Sequence, residues 1–504
     1  MPGVNVTTAV RTGPVGTTDV VAGQVFMVGE TERGPTNEPT LLRSFNDYTT
    51  YYGNYESGSL YSHVKTFFDE GGSRCFVQRV LSNEADSAAG TITLNDSSGS
   101  ATMVATAKNH GDWSDNLDIE IAAADVSGFK VKVYLDDALL LSTRDLTSVT
   151  DAINVVNSSA VSHLVELSDN TTSDSNPATL AATALSGGSD GTTVDDDDFA
   201  TEIAVASTKI TPNLGTGAIC APGKYGSTIW NALRDHAAEH NRVALLSFNG
   251  TEGSNSASDA RSAAADYYAD DKASYMAFYW PHIKVASPNA SELATGQSAV
   301  AGSTVTISPE AFAAGARARA VQQSGGPWRA GAGQISQART VTALAQDVTA
   351  TTGETMDASR VNVLRKIGSG IRVYGARSVS NDEANWRYIT MRDTMNYIVT
   401  GVEARMEEYV FETVDARGNL FGRIRGSIKA FLEPIRAAGG LYEAFDDDGV
   451  MLDPGYNVVV DSTLNPATQL ATGLVKAQVG VRVSGVADLI DIVITKSNLS
   501  APVI

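Results

Sequence analysis

Cysteine is nearly absent from this 504-residue chain, which has only Cys75 and Cys220. Both lie in apolar, strand-like runs, Arg74-Cys75-Phe76-Val77 and Ala218-Ile219-Cys220-Ala221. The expectation is therefore two buried free thiols and no disulfide framework. Long apolar runs are missing too. None approaches the ~20 residues of a membrane helix, and no charged n-region followed by an apolar h-region opens the chain, so a soluble protein without a Sec-type leader is expected. Basic residues are scarce, 37 against 58 acidic, leaving a net charge of −21. That balance repels phosphates, and no basic tract offsets it locally, which argues against direct nucleic-acid binding.

Motifs for covalent chemistry are equally thin. Gly215-x-Gly217 and Gly368-x-Gly370 are too short to cradle phosphates, and no Lys-Ser/Thr pair follows either. There is no G-x-S-x-G elbow and no convincing Cys/His pair. One metal signature is present: His236-Ala237-Ala238-Glu239-His240 fits H-x-x-E-H, with both histidines on one helical face and Glu239 beside them. A working site also needs a third protein ligand, and the motif reads as a solvated helix end. Asp195–Asp198 and Asp446-Asp447-Asp448-Gly449 lack the alternating ligands and terminal glutamate of a calcium loop, so they read as solvated turn carboxylates. No catalytic residue, metal or cofactor is assigned.

What the chain does contain is ordinary globular hydrophobicity, 42%, with 45 glycines and 7% aromatics. This length exceeds one core and predicts about three domains. Val25-Phe26-Met27-Val28-Gly29 is a buried-strand run, and Phe45 to Tyr52 a short helix stopped by Gly53. Leu60, Val64, Phe67 and Phe68 fall at helical spacing before Gly71-Gly72, and Cys75 to Val80 is again a strand. The β–α–β order predicts a parallel α/β unit. From about Asn83 to Asp190 the composition turns to Ala, Ser, Thr, Asp and Asn with alternating strands such as Phe129 to Tyr134. This is a mainly β insertion with one or two helices near Leu146–Ser158, closed by a flexible return at Ser186-Gly187-Gly188-Ser189-Asp190-Gly191. The α/β pattern then resumes, with a helix over Ile229–His240, strands at Arg242–Phe248 and Tyr275–Pro281, and a helix over Ser256–Asp270.

The C-terminal quarter is the most distinctive part. Ile371-Arg372-Val373-Tyr374-Gly375 predicts a strand and turn, and Trp386-Arg387-Tyr388-Ile389 opens a helix. A second helix runs from about Asn419 to Ala438. Leu420, Ile424, Ile428, Phe431, Leu432 and Ile435 form its buried face, while Arg425, Lys429 and Arg436 fall within about 40° of one another on another face. Pro434 removes a donor and should kink the last turn. The basic stripe has two readings: pairing with nearby carboxylates of the same chain, or docking on an acidic partner. Gly455-Tyr456-Asn457-Val458-Val459-Val460-Asp461 and Leu489-Ile490-Asp491-Ile492-Val493-Ile494 are strand-like.

This ordered set resembles the contractile tail sheath proteins of phages and related injection machines. The resemblance is carried by Pro2-Gly3-Val4, by Val28-Gly29 with Arg33-Gly34-Pro35-Thr36-Asn37-Glu38-Pro39, by Gly187-Gly188-Ser189-Asp190-Gly191, by Gly315 to Ala330, and most densely by the chain beyond Arg360. It departs from the family at Arg329-Ala330-Gly331-Ala332-Gly333, where Lys-Ala-Pro-Ala-Asn is common. The fold class expected is multidomain α/β. An N-terminal arm (1–20) precedes a central α/β domain (21–82 and 189–359), which is interrupted by a β-rich outer insertion (83–188). A C-terminal α+β domain (360–494) faces the tube, and a short arm (495–504) follows. The resemblance implies a non-enzymatic virion subunit, assembled in the host cytoplasm into a helical homopolymer around a tail tube protein. Baseplate and tail terminator proteins would be further partners. Val4 and Val6, with Ile490, Ile492 and Ile494, would lie on terminal strands donated to neighbours, and Arg425, Lys429 and Arg436 would face the tube. A non-phage injection system is the alternative, and a zinc metallohydrolase through His236, Glu239 and His240 a remote one.

Overall fold

The computed structural model describes residues 21–82, 87–170, 172–249, 256–415 and 417–488. The expected arm residues Val4, Val6, Ile490, Ile492 and Ile494 lie outside these. The first segment comprises β1 (Gln24–Gly29), β2 (Thr40–Leu42), α1 (Phe45–Tyr52), α2 (Tyr61–Asp69) and β3 (Cys75–Arg79). The insertion follows with β4 (Thr91–Asn95), β5 (Ala101–Ala107), β6 (Leu117–Ala123), β7 (Phe129–Leu135), β8 (Ala138–Ser142), α3 (Val149–Asn157), β9 (Val165–Asp169) and β10 (Leu180–Ala184). The chain then runs through α4 (Asp196–Lys209), β11 (Gly217–Cys220), α5 (Ser227–Glu239), β12 (Arg242–Ser247), α6 (Ala257–Ala265) and β13 (Met276–Trp280). Next come β14 (Ile283–Ala286), β15 (Thr304–Ile307), α7 (Glu310–Ser324), β16 (Ala343–Leu344), α8 (Ala350–Ala358), β17 (Val361–Ile367) and β18 (Gly370–Tyr374). The last segment holds α9 (Glu383–Trp386), α10 (Ile389–Met406), α11 (Asn419–Ala437), β19 (Ala444–Phe445), β20 (Met451–Asp453), β21 (Tyr456–Val459), α12 (Ala467–Leu470) and β22 (Gln478–Val481).

Eight strands form the central sheet in the order β18-β17-β13-β12-β11-β1-β3-β2. The neighbours from β3 across to β17 are parallel, and β2 and β18 add antiparallel edges. Parallel strands are covered on both faces, which is why β1, β3, β11, β12 and β13 read as near-continuous apolar runs and are buried throughout. Alternate residues of β1 divide between the two layers. Val25 and Met27 pack with Tyr48, Val64, Phe67 and Phe312 from α1, α2 and α7. Phe26 and Val28 pack with Phe199, Ile203, Ile229 and Leu233 from α4 and α5. Cys75 and Cys220 are buried free thiols on the first of these faces. The insertion, between β3 and β11 of this sheet, has its own core, built from Trp113, Ile119, Val131, Val133, Val156 and their neighbours.

Three expectations change. Residues 361–374 are not the start of a C-terminal unit: β17 pairs with β13 and β18 with β17, so they complete the central sheet. A boundary at residue 360 would cut β17 and β18 off the sheet they pair with. The helix expected from Trp386 is two helices, since α9 ends at that residue and α10 starts at Ile389. The return at 186–191 is also not loose. Ser186 and Ser189 bridge to Thr91 and Ala88, and the Asp115 carboxylate accepts the Gly188 N–H at 2.8 Å.

Glu310 opens α7 with its carboxyl buried: Oε1 accepts the Ser247 hydroxyl at 2.5 Å, and Oε2 has no partner among the described residues. Burial pushes this carboxyl up to about 7. The folded state therefore holds a proton that the unfolded chain releases near the ordinary value, so stability falls as pH rises from about 4.5 through 7. Denaturant unfolding should show Glu310 contributing a loss of roughly 2–3 kcal/mol between pH 5 and pH 8. Glu310→Gln should flatten that slope.

Candidate assembly surface on the C-terminal domain

The surface is built on α10 and α11. Asp415 starts α11 by accepting the backbone N–H groups of Arg417 and Asn419 at 2.8 and 3.1 Å, and these bonds hold its carboxyl below the usual range. Leu420, Ile424, Ile428, Phe431, Leu432 and Ile435 form the buried stripe read from the sequence, packed with Ile398, Leu441, Val458 and Val460. The helix runs on through Pro434 to Ala437. The two helices approach closely at Gly401, where an added Cβ would sit 2.1 Å from the Phe431 ring. Arg405 covers the same ring at 4.2 Å from its centroid.

The structure divides the basic stripe. Arg425 and Lys429 are exposed and make no ion pair among the described residues. Arg436 is half-buried and held by the Glu433 and Glu443 carboxylates, which raise its pKa, so for this residue the intramolecular reading holds. Arg423, which the periodicity did not single out, is exposed and pairs with Glu412 at 3.1 Å. Sequence reasoning also missed two apolar projections. Phe411 is fully exposed at φ 65°, between exposed Val410 and Val414. The β19–β20 hairpin exposes Phe445, Val450 and Leu452, the last at 68%. The run Asp446-Asp447-Asp448-Gly449 signalled that hairpin: the Asp446 carboxylate accepts the Asp448 and Val450 N–H groups at 3.1 and 2.7 Å and closes the turn.

The H-x-x-E-H segment is not a solvated helix end. His236 and His240 are 3% and 5% exposed and meet edge-on at 4.6 Å between ring centroids, while Glu239 turns to solvent. Arg242 Nη1 lies 2.9 Å from His236 Nε2 and donates to it. Burial and that guanidinium push His236 down to about 2. A cation already occupies the place where a metal would bind, and the carboxylate points away. Nor are Asp195–Asp198 plain turn carboxylates, for Asp195 accepts the N–H groups of Asp197 and Asp198 at 2.9 and 3.0 Å and caps α4.

No family model matches the sequence, and no curated protein matches it either. Solved structures do. The helical sheath of the anti-feeding prophage in its contracted state overlays with a TM-score of 0.54 at 15% identity, covering 99% of each chain. The contracted sheath of an extracellular contractile injection system gives 0.55 at 16%, over 99% of this chain and 98% of that one. The sheath tail protein of Listeria innocua gives 0.61 at 15%, over 88% and 89%. The chain has the contractile tail sheath fold. Its central sheet, insertion and C-terminal helices all fall within the aligned span, since the first two overlays leave about 1% of the chain uncovered. Within this sheath fold the close α10–α11 crossing makes Gly401 sensitive. Gly401→Ala should destabilise the domain by about 1–3 kcal/mol in thermal or denaturant unfolding, because the Phe431 ring must move. Gly422→Ala, on the exposed face with nothing within 4 Å, should stabilise it by about 0.5–1 kcal/mol.

Proposed function

We propose that this chain is a structural subunit of a contractile sheath. It polymerises helically around an inner tube in a metastable extended state and contracts to drive that tube through a host envelope. The observation that carries this reading is the near full-length overlay on subunits solved within assembled sheaths. In a phage tail the outcome would be genome ejection, and the subunit would be a late virion protein, assembled in the host cytoplasm with baseplate and tail terminator proteins. Two of the three overlays are with sheaths of the anti-feeding prophage and an extracellular injection system, which favours a non-phage machine as the second setting. The subunit's task is the same in both.

In this reading the domain beyond Ile389 faces the tube, and the free cations Arg425 and Lys429 meet an acidic tube surface. Exposed ion pairs contribute ~0–1 kcal/mol each, so a ring of them sets register and yet releases when subunits move. The termini 1–20 and 489–504 act as strands donated to neighbours, since backbone ladders survive rotation of the bodies they join. Electron microscopy of the purified protein tests the whole reading: hollow helical tubes support it, and discrete monodisperse particles at assembly concentrations count against it. Arg425→Glu with Lys429→Glu should still polymerise alone but lose co-assembly with the cognate tube protein, and unimpaired co-assembly rejects the tube-facing assignment. Deleting residues 1–15 should leave a monomer with unchanged melting that forms no polymer, and normal tubes from that truncation reject the arm assignment.

A further inference from the structure

The insertion leaves the central domain after β3 and returns at Ser189-Asp190, where Ser82 and Ala88 of the outgoing side lie beside Asp190 and Ser189. Two adjacent crossings alone would form a hinge. The structure places a fully buried arginine there. Arg79, the last residue of β3, is 1% exposed and directs its guanidinium into the joint. On the central side, Nη2 donates to the Glu32 carbonyl and Nη1 to the Gly34 carbonyl, both at 3.3 Å. On the insertion side, Nη1 donates to the His110 carbonyl at 2.7 Å and Nη2 to the Asp190 carboxylate at 3.2 Å.

The partners are themselves tied back into the two bodies. The Asp190 N–H donates to the Asp112 carboxylate at 3.1 Å, and the Asp190 carbonyl accepts the Ser82 hydroxyl at 3.2 Å. The His110 carbonyl also accepts the Trp113 indole N–H at 3.2 Å, and Trp113 belongs to the insertion core. Arg33, beside the Glu32 and Gly34 carbonyls, lies over the Trp113 ring at 5.9 Å. Farther out, Tyr51 meets His163 edge-on at 5.6 Å, and Thr295 bonds Asp136. These contacts fix the insertion at separate points, but among the described residues only the Arg79 guanidinium hydrogen-bonds to both bodies from a dry site. A planar fork of donors suits this role because its directions are fixed, whereas a lysine would supply one point charge. Swinging the insertion would strip the His110 carbonyl and the Asp190 carboxylate together from a buried cation.

We propose that Arg79 is a joint lock that makes the insertion and the central domain one rigid body, so that the insertion keeps a fixed bearing on the central sheet. The inference stands on the joint's geometry and does not require the assembly reading. Distance measurement between spin labels tests it on the full chain. Labels go on Ser97→Cys, at the β4–β5 turn, and Ser262→Cys, on α6, both exposed positions. Cys75 and Cys220 are buried and would not take label. The otherwise unaltered chain should give one narrow distance distribution. Arg79→Met, which keeps the stem and removes the fork, should broaden it while circular dichroism retains both domains' secondary structure. Asp190→Ala cuts only the half-exposed insertion-side carboxylate and should broaden it too, which keeps the measurement available if Arg79→Met does not fold. A broad distribution before mutation, or an unchanged width in either folded variant, overturns the lock.

Discussion

The molecule depends on one helix, α10, whose two halves pack in different surroundings. The first half of α10 belongs to the central domain. Ile389 packs in that core, Asp393 receives the Arg317 guanidinium in a buried ion pair, and the Asn396 side-chain amide donates to the Arg242 carbonyl at 2.9 Å. From Ile398 onward the same helix packs on α11 and β21 in a separate core. A helix of this length is a stiff rod, so the orientation set at one end is transmitted to the other. Burial raises the Asp393 carboxyl pKa even beside Arg317, which marks how far the pair is from water. Removing one partner would strand the other, a loss of about 3–5 kcal/mol for such pairs.

The same logic recurs where the other two bodies meet. Interiors of all three units are apolar, but the joints are polar: Arg317–Asp393 below the C-terminal domain and Arg79 at the insertion. Apolar interfaces tolerate sliding, because one methyl group replaces another at little loss. A buried guanidinium with directed bonds does not. Directed bonds of this kind oppose rotation of one unit on another.

Much of the fold was legible in the chain because local and global preferences agree. The run Val25–Gly29, Val243–Leu246 and the strand from Met276 are apolar because a parallel sheet covers both faces. Leu420 to Ile435 keep helical spacing because α11 lies on one core. Legibility failed where a residue's role depends on distant chain. Val361–Tyr374 resembles the opening of a new domain, yet it closes a sheet begun over three hundred residues earlier, and no local pattern records which ladder a strand joins. The glycines and serines of 186–191 suggest slack, but Ala88, Thr91 and Asp115, far back in the chain, take up their backbone groups.

What the sequence alone determined is the class of its strongly patterned segments: strands and helices from periodicity, turns from Gly and Asp, and the burial of two thiols from their apolar surroundings. Those are properties of a few neighbouring residues and survive any arrangement of the rest. Tertiary structure alone decided the use of the polar side chains. It buried His236 and His240 beside Arg242, gave Arg436 to Glu433 and Glu443 while leaving Arg425 and Lys429 without an ion pair among the described residues, and brought Arg79 to Asp190. A charge acts at a distance set by folding, not by spacing in the chain, so its partner cannot be read until the elements are in place.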